Sequence, residues 1–113
     1  RKIPLRHKVL LIDDEPANLR LLNRVLGSDY QTFLAESGSE GIKILEEEEL
    51  SLVISDQRMP GMSGVQVLQE ALRLQPEAVR ILLTGYTDIQ ALIDAINSGQ
   101  IYKYVQKPWD ADD

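Results

Sequence analysis

Three aspartates stand at the ends of two strand-like runs and could together bind a cation. Asp13 and Asp14 follow the apolar run 9–12, and Asp56 follows the run 52–55. Carboxylates brought close together repel one another, so protons, a lysine or a hard cation must offset their charge. Oxygen ligands without cysteine or histidine suit Mg²⁺, which keeps several waters and takes one or two protein carboxylates. A carboxylate beside Mg²⁺ and a lysine could attack phosphorus and form an acyl phosphate.

A hydroxyl and an ammonium follow two further strand-like runs. Thr84, with Gly85 after it, ends the run 79–83, and Lys107 ends the run 101–106. Both groups can stabilise the charge of a phosphoryl group in transfer. Taken singly, each of these residues has an ordinary interpretation, because an aspartate after a strand often caps the next helix and a lysine is often a surface residue. Their occurrence at four strand ends favours a phosphoryl-transfer site.

The apolar spacing predicts that strands and helices alternate along the chain. Strands are predicted at about 9–13, 30–35, 52–56, 79–84 and 101–106. Four helices are predicted between them. The first runs from Pro16 to Gly27, and the second begins at Ser37 and ends in the run Glu46 to Glu49. The third carries Val65 to Leu72 and stops at Gln75-Pro76, and the fourth begins at Thr87 or Asp88 and ends at Asn97-Ser98-Gly99. This alternation implies right-handed βαβ units and a doubly wound, five-stranded parallel sheet with helices on both faces. In the flavodoxin-like order 2-1-3-4-5, the crevice at the switch point would place Asp13 and Asp14 beside Asp56.

Four consecutive glutamates, Glu46 to Glu49, end the second predicted helix. Negative charges at a helix C-terminus oppose the helix macrodipole. We therefore expect this helix end to be frayed and solvated.

Length and composition indicate a single domain spanning residues 1–113, with a polar leader at 1–8. Residues 109–113 look like the start of a fifth helix or a linker, so that helix is expected to be missing or truncated. Eighteen acids against twelve bases give a net charge of -6 and no basic patch, which argues against direct binding of nucleic acid. There is no cysteine, and the one histidine, His7, is expected to be exposed rather than catalytic. No apolar run approaches a membrane span, so the expected location is cytoplasmic, with no membrane partner.

The sequence resembles the receiver domains of bacterial two-component response regulators from Val9 to Pro108. The residues that carry the resemblance are the pair Asp13-Asp14, Asp56 in Ser55-Asp-Gln-Arg-Met-Pro-Gly-Met-Ser-Gly64, the pair Thr84-Gly85, Tyr104, and Lys107-Pro108. The run from Leu83 to Trp109 further resembles receivers of the NtrC type, of hydrogenase-synthesis regulators and of proteins with HD-GYP phosphodiesterase domains. This resemblance implies a signalling domain rather than an enzyme, one that catalyses only its own phosphotransfer and slow autodephosphorylation.

The resemblance also implies a role for each residue of the transfer site. Asp56 would be the phosphoacceptor, taking a phosphoryl group from a phosphohistidine of a sensor histidine kinase to form an aspartyl phosphate. Asp13, Asp14 and Asp56 would hold Mg²⁺ together with the backbone carbonyl of Arg58. Lys107 would pair with a phosphoryl oxygen.

A second set of residues would convert phosphorylation into a signal. By the resemblance, Thr84 and Tyr104 form the switch pair, on the face made by the strand ending at Thr84, the next helix and the last strand. Arg58 and Tyr86 would flank the path of attacking water and tune the lifetime of the phosphate. The expected partners are the kinase and an output domain with a transcriptional role, and homodimerisation is a further expectation.

Other functions are compatible with parts of the pattern. A receiver-like module could signal through dimer contacts without phosphorylation, although such modules usually lose the acidic pair, the lysine or the acceptor. A haloacid-dehalogenase-type phosphatase would place a D-x-D pattern after the first strand, where this chain has Asp13-Asp14-Glu15. A flavin carrier would need a phosphate-binding loop there, and these acids would repel the phosphate.

Overall fold

Five strands and three helices alternate through the part of the chain that the structure describes. The structure is a computed structural model, and it describes residues 7–28, 30–84 and 103–106. In chain order the elements are β1 (Lys8–Ile12), α1 (Pro16–Leu26), β2 (Gln31–Ala35), α2 (Gly38–Glu47), β3 (Leu52–Asp56), α3 (Gly64–Leu74), β4 (Val79–Thr84) and β5 (Lys103–Gln106).

The strands form one parallel sheet in the order β2-β1-β3-β4-β5. This arrangement confirms the predicted doubly wound fold and its strand order. In the register of the sheet, Ile12 of β1 pairs with Ser55 of β3, and Asp56 pairs with Leu83 of β4. Since the strands are parallel, the residues that follow β1 and β3 emerge at the same edge of the sheet, on either side of the switch point.

Each face of the sheet carries its own hydrophobic core, because successive strand residues point to opposite faces. On one face, Leu10, Val53 and Leu82 are fully buried against α2 and α3. On the other face, Val9 and Leu11 are fully buried in a cluster that includes the inner side of α1. Burying one such side chain stabilises the fold by about 1.5–3 kcal/mol. The unbroken apolar run of β1 follows from this arrangement, since both of its faces are covered.

Two helix starts, at Pro16 and Ser37, follow signals read from the sequence, and the capping box of α3 is seen only in the structure. Pro16 occupies the first turn of α1, where its missing N–H costs nothing. The hydroxyl of the N-cap residue Ser37 accepts a hydrogen bond from the N–H of Glu40 at 3.2 Å and begins α2. At the start of α3, Ser63 and Gln66 form a reciprocal capping box. These caps fix where each helix leaves the loop that follows a strand.

The C-terminal end of α2 differs from the frayed end that was predicted. Three of the four glutamates are exposed, but Glu48 is half-buried, and its carboxylate lies 3.0 Å from Lys8 Nζ. The side-chain amide of Gln75 donates hydrogen bonds to the carbonyl oxygens of Leu45 at 2.8 Å and Glu48 at 2.6 Å. The same side chain accepts a hydrogen bond from the N–H of Leu50 at 2.7 Å. Gln75 therefore closes this helix end, which its charge alone would leave open.

Several predicted features lie outside the described residues. They are residues 1–6 of the leader, the helix predicted after Thr84, and residues 107–113, where a truncated fifth helix was predicted. The exposed position of His7 is confirmed. Within the described ranges, no helix is long and apolar enough to cross a membrane.

Candidate functional site

Asp13, Asp14 and Asp56 come together at the carboxyl edge of the sheet. Each can offer one carboxylate oxygen such that the three oxygens all lie within 4.8 Å of one another. Asp13 and Asp56 are buried, with 1% and 7% of their surface exposed, whereas Asp14 is exposed. The cluster therefore has two buried acids at its base and one acid open to solvent.

Sheet geometry explains the close approach of these acids. Asp13 is the first residue after β1, and its N–H still donates to the carbonyl of Ala35 at 3.1 Å, which extends the pairing with β2. Asp56 is the last residue of β3 and remains paired with Leu83 of β4. Both positions are therefore set by the sheet rather than by a mobile loop.

The carboxylate of Asp13 is oriented by two hydrogen bonds. The N–H of Glu15 donates to Asp13 Oδ1 at 2.9 Å, and the side-chain amide of Asn18 donates to Asp13 Oδ2 at 3.2 Å. Each carboxylate oxygen can accept more than one hydrogen bond or ligand contact, so both oxygens keep the capacity to bind a cation. Asn18 is a functional candidate that the sequence analysis missed, although its place in the first turn of α1, five residues after Asp13, was a signal.

The loop from β3 to α3 borders the acidic cluster. Its residue Arg58 is exposed and lines a shallow surface depression with Met59, Pro60 and Ser63. Gly61 has a φ of 80°, in the left-handed region that favours glycine. The Pro60-Gly61 turn therefore reverses the chain here and directs it into α3.

The structure describes the remaining predicted site residues only in part. Thr84 is the last residue of β4, and Tyr104 lies in β5, so both backbones belong to neighbouring strands at one end of the sheet. Thr84 pairs with Gln106, and Tyr104 pairs with Leu82. Tyr86 and Lys107 lie outside the described residues, and their roles stay predictions.

The donor set of the acidic cluster fits a hard divalent cation. Ligands on opposite sides of a Mg²⁺ ion stand about 4 Å apart, because each Mg–oxygen distance is about 2.0–2.1 Å. All three donors are oxygens, and they lie within 4.8 Å of one another, a range that includes this spacing. A cation there would also relieve the mutual repulsion of the carboxylates.

A parallel α/β sheet of order 2-1-3-4-5 with an acidic cluster at its switch point places this chain among the doubly wound α/β proteins. The sequence model of the response regulator receiver domain matches residues 9–113, and the chain belongs to that family. It is therefore a receiver domain of the two-component type, a signalling module whose family members partner with histidine kinases. This membership confirms the resemblance read from the sequence.

Curated relatives are similar to this chain over most of its length. It is 39% identical over 101 residues to the hydrogenase transcriptional regulatory protein HoxA of Cupriavidus necator. The matched segment covers 89% of this chain and 21% of HoxA. It is 39% identical over 105 residues to the transcriptional regulatory protein GlrR of Escherichia coli, which covers 92% of this chain and 23% of GlrR. It is 31% identical over 111 residues to the sporulation initiation phosphotransferase F of Bacillus subtilis, which covers 96% of this chain and 88% of that protein. The chain thus spans about a fifth of the length of HoxA and GlrR.

Solved structures share the fold. The signal receiver domain of an HD domain-containing protein from Pseudomonas fluorescens Pf-5 superposes with a TM-score of 0.88 and 35% identity, covering 96% of this chain and 87% of that one. A response regulator protein from Burkholderia pseudomallei was solved with a phosphorylated aspartic acid, a calcium ion and citrate. It superposes with a TM-score of 0.84 and 27% identity, covering 94% of this chain and 62% of that one.

Proposed function

We propose that Asp56 accepts a phosphoryl group from a sensor histidine kinase at a Mg²⁺ site formed by Asp13, Asp14, Asp56 and the carbonyl of Arg58. The observation that carries this proposal is the convergence of the three carboxylates within 4.8 Å at the ends of β1 and β3. Support also comes from the Burkholderia pseudomallei relative, whose structure holds a phosphorylated aspartic acid and a calcium ion.

The chemistry is a displacement at phosphorus. A carboxylate oxygen of Asp56 attacks the phosphorus of a phosphohistidine, the P–N bond breaks, and the imidazole leaves as an aspartyl phosphate forms. Bound Mg²⁺ would supply positive charge that screens the incoming phosphoryl group from the acids. Asp13 and Asp14 hold the site, and Lys107 pairs with a phosphoryl oxygen. The protein acts once on itself, which distinguishes this step from enzymatic turnover.

The proposed switch uses Thr84 and Tyr104. The hydroxyl of Thr84 turns toward the phosphate, and the ring of Tyr104 turns inward behind it. Shifting a two-state equilibrium from 1:99 to 99:1 takes about 5.5 kcal/mol. Two or three charge-assisted hydrogen bonds at about 1.5–3 kcal/mol each are of that size. The surface that changes comprises β4, β5 and the helix predicted after Thr84.

Arg58 and Tyr86 tune the lifetime of the aspartyl phosphate in this proposal. The exposed Arg58 lies two residues after the acceptor, and Tyr86 lies two residues after Thr84. A long cation and a bulky ring hinder or order the attacking water, so autodephosphorylation is slow. The double variant Arg58→Ala, Tyr86→Ala should therefore lose its phosphate faster than the wild type, and an unchanged decay rate would count against this role.

We propose that the signal passes to an output domain that regulates transcription, because HoxA and GlrR are transcriptional regulatory proteins and this chain matches about a fifth of each. The single-domain boundaries at 1–113, a homodimer and a cytoplasmic location stay predictions. Nucleic-acid contact would come from the output domain, since this chain carries a net charge of -6.

The experiment that tests the function is intact-mass measurement after incubation with Mg²⁺ and a small-molecule phosphodonor. We expect one phosphoryl adduct on the wild type and none on Asp56→Asn. An adduct that persists in Asp56→Asn would show that another residue is the phosphoacceptor. No adduct on a folded wild-type protein that binds Mg²⁺ would favour a receiver-like module that signals by contacts alone.

A further inference from the structure

Gln57 follows Asp56 directly, and it makes three hydrogen bonds to two other elements. Its N–H donates to the carbonyl of Leu83 in β4 at 3.0 Å. Its own carbonyl accepts from the N–H of Gly64 at 3.0 Å, and its side-chain oxygen Oε1 accepts from the N–H of Val65 at 2.9 Å. The residue is buried, with 8% of its surface exposed.

These bonds close the β3–α3 loop at both of its ends. Gly64 and Val65 are the first two residues of α3, and their N–H groups have no partner within the helix. Gln57 satisfies both, so residues 58–63 form a loop whose start and end are held by one residue. The capping box of Ser63 and Gln66 serves the next position and is therefore a separate device.

The burial of Gln57 argues that its side chain does more than fill space. A buried position after a strand is usually apolar, because burying an amide costs free energy unless its hydrogen bonds are made. Here the amide oxygen accepts a hydrogen bond from the N–H of Val65 at the start of α3, beside the acidic cluster. A hydrophobic side chain of similar volume would fill the same space and would leave the N–H of Val65 without this acceptor.

We propose that Gln57 is a positioning residue for the cation site. The bond between the Val65 N–H and Gln57 Oε1 holds the start of α3, and with it the Gly64 N–H that fixes the carbonyl of Gln57. The direction of the next carbonyl, that of Arg58, then depends on only the two soft dihedral angles of Arg58. The bond from the Gln57 N–H to the carbonyl of Leu83 holds the backbone directly after Asp56. This inference rests on the proposed function, in which the carbonyl of Arg58 and the carboxylate of Asp56 are ligands.

The test compares two matched glutamine variants of the whole chain, Gln57→Met and Gln66→Met. Each removes one side-chain oxygen that accepts a backbone N–H at 2.9 Å near the start of α3, but only Gln57 adjoins the acidic cluster. Mg²⁺ affinity is measured by calorimetric titration, and unfolding by urea. We expect Gln57→Met to weaken Mg²⁺ binding about 10-fold, the lower end of the effect of removing groups that orient metal ligands. Gln66→Met should lower the unfolding midpoint but keep the wild-type Mg²⁺ affinity.

Hydrogen exchange adds a second measurement. In Gln57→Met, the amide of Val65 should lose protection while the core strands keep theirs. If Gln57→Met does not fold, Gln57→Asn carries the same expectation, because its shorter side chain keeps the amide but falls short of Val65.

The outcomes separate this inference from the proposed function. A wild-type protein that binds Mg²⁺, loses affinity in Asp56→Asn and keeps it in Gln57→Met would overturn the role of Gln57 alone. Equal losses of affinity in the two glutamine variants would also overturn it, because the effect would then come from the helix start in general. A wild-type protein that does not bind Mg²⁺ would overturn both proposals.

Discussion

Gly64 lies against the backbone carbonyl oxygen of Asp56, so closely that a β-carbon on Gly64 would overlap with that oxygen. The same β-carbon would stand 2.7 Å from the Cδ1 atom of Leu82, well inside normal contact. The first residue of α3 therefore packs directly on the strand end that carries the candidate acceptor. Only glycine allows this approach, which ties the start of α3 to the acidic cluster.

The first prediction follows from this contact. Gly64→Ala should lower the free energy of unfolding by about 1–3 kcal/mol, the usual cost of forcing an extra carbon into a packed site. The change should also weaken Mg²⁺ binding, since the displaced group is the backbone of Asp56. Urea unfolding and calorimetric titration measure the two effects.

Gly61 provides the control, since a β-carbon there meets no atom of the described residues within 4 Å but its φ is 80°. Gly61→Ala should cost about 1–2 kcal/mol because of the left-handed backbone alone. Gly61→Asn should cost less, as asparagine tolerates that conformation, whereas Gly64→Asn should be at least as harmful as Gly64→Ala. If asparagine is tolerated equally at both positions, the contact with Asp56 is not what restricts Gly64.

The second prediction concerns Asn18, whose amide donates to Asp13 Oδ2. Asn18→Ala should weaken Mg²⁺ binding about 10-fold, because a group that orients a metal ligand is lost. Asn23→Ala is the matched control, since Asn23 lies on the same helix and its side-chain oxygen accepts from Thr32 instead. Calorimetric titration of both variants measures the difference. An Mg²⁺ affinity of Asn18→Ala equal to that of the wild type would show that the N–H of Glu15 alone suffices to orient Asp13.

The sequence predicted the sheet and the acidic cluster because their signals are local. Apolar runs that stop at Asp13 and at Asp56 mark strand ends, and parallel strands place such ends at one edge. Pro16 and Ser37 marked helix starts for the same reason, since each acts on its own helix. These residues needed no knowledge of distant partners.

The structural roles of the amide side chains could not be predicted from the sequence. Gln75 contacts the end of α2, 27 residues earlier in the chain, and no periodic pattern announces such a partner. Gln57 and Asn18 have partners closer in sequence, but their hydrogen bonds depend on how a loop folds back on a strand end. Glutamine and asparagine are ordinary surface residues by composition, so only the fold reveals where they are used.

The third prediction tests the closure of α2 by Gln75. Gln75→Leu should lower the free energy of unfolding by about 2 kcal/mol, since the carbonyls of Leu45 and Glu48 and the N–H of Leu50 lose a partner in a half-buried region. Mg²⁺ affinity should stay unchanged, as this end of α2 is remote from the carboxyl edge of the sheet. Urea unfolding measures the loss. Gln31→Leu, at an exposed position of β2, should change stability by less than about 0.5 kcal/mol, and an equal loss there would contradict the assignment.

The fourth prediction is that Mg²⁺ reverses the sign of the effect of Asp14→Asn on the free energy of unfolding. Without Mg²⁺, Asp14→Asn should raise the free energy of unfolding by about 1 kcal/mol, the size of a like-charge interaction near 4 Å in water, because one of three clustered carboxylates is neutralised. The gain should shrink as NaCl is added, since Asp14 is exposed and the repulsion is screened.

In saturating Mg²⁺ the order should invert. A ligand that binds only the folded state stabilises it by about 2.7 kcal/mol at 100 times its dissociation constant, and a variant with weaker binding gains less at the same concentration. The wild type should then be more stable than Asp14→Asn, as measured by urea unfolding with and without Mg²⁺. Glu47→Gln, which removes an exposed charge on α2, should show no such inversion. If Asp14→Asn keeps its advantage at every Mg²⁺ concentration, Asp14 does not contribute to the cation site, and Asp13 and Asp56 hold the ion without it.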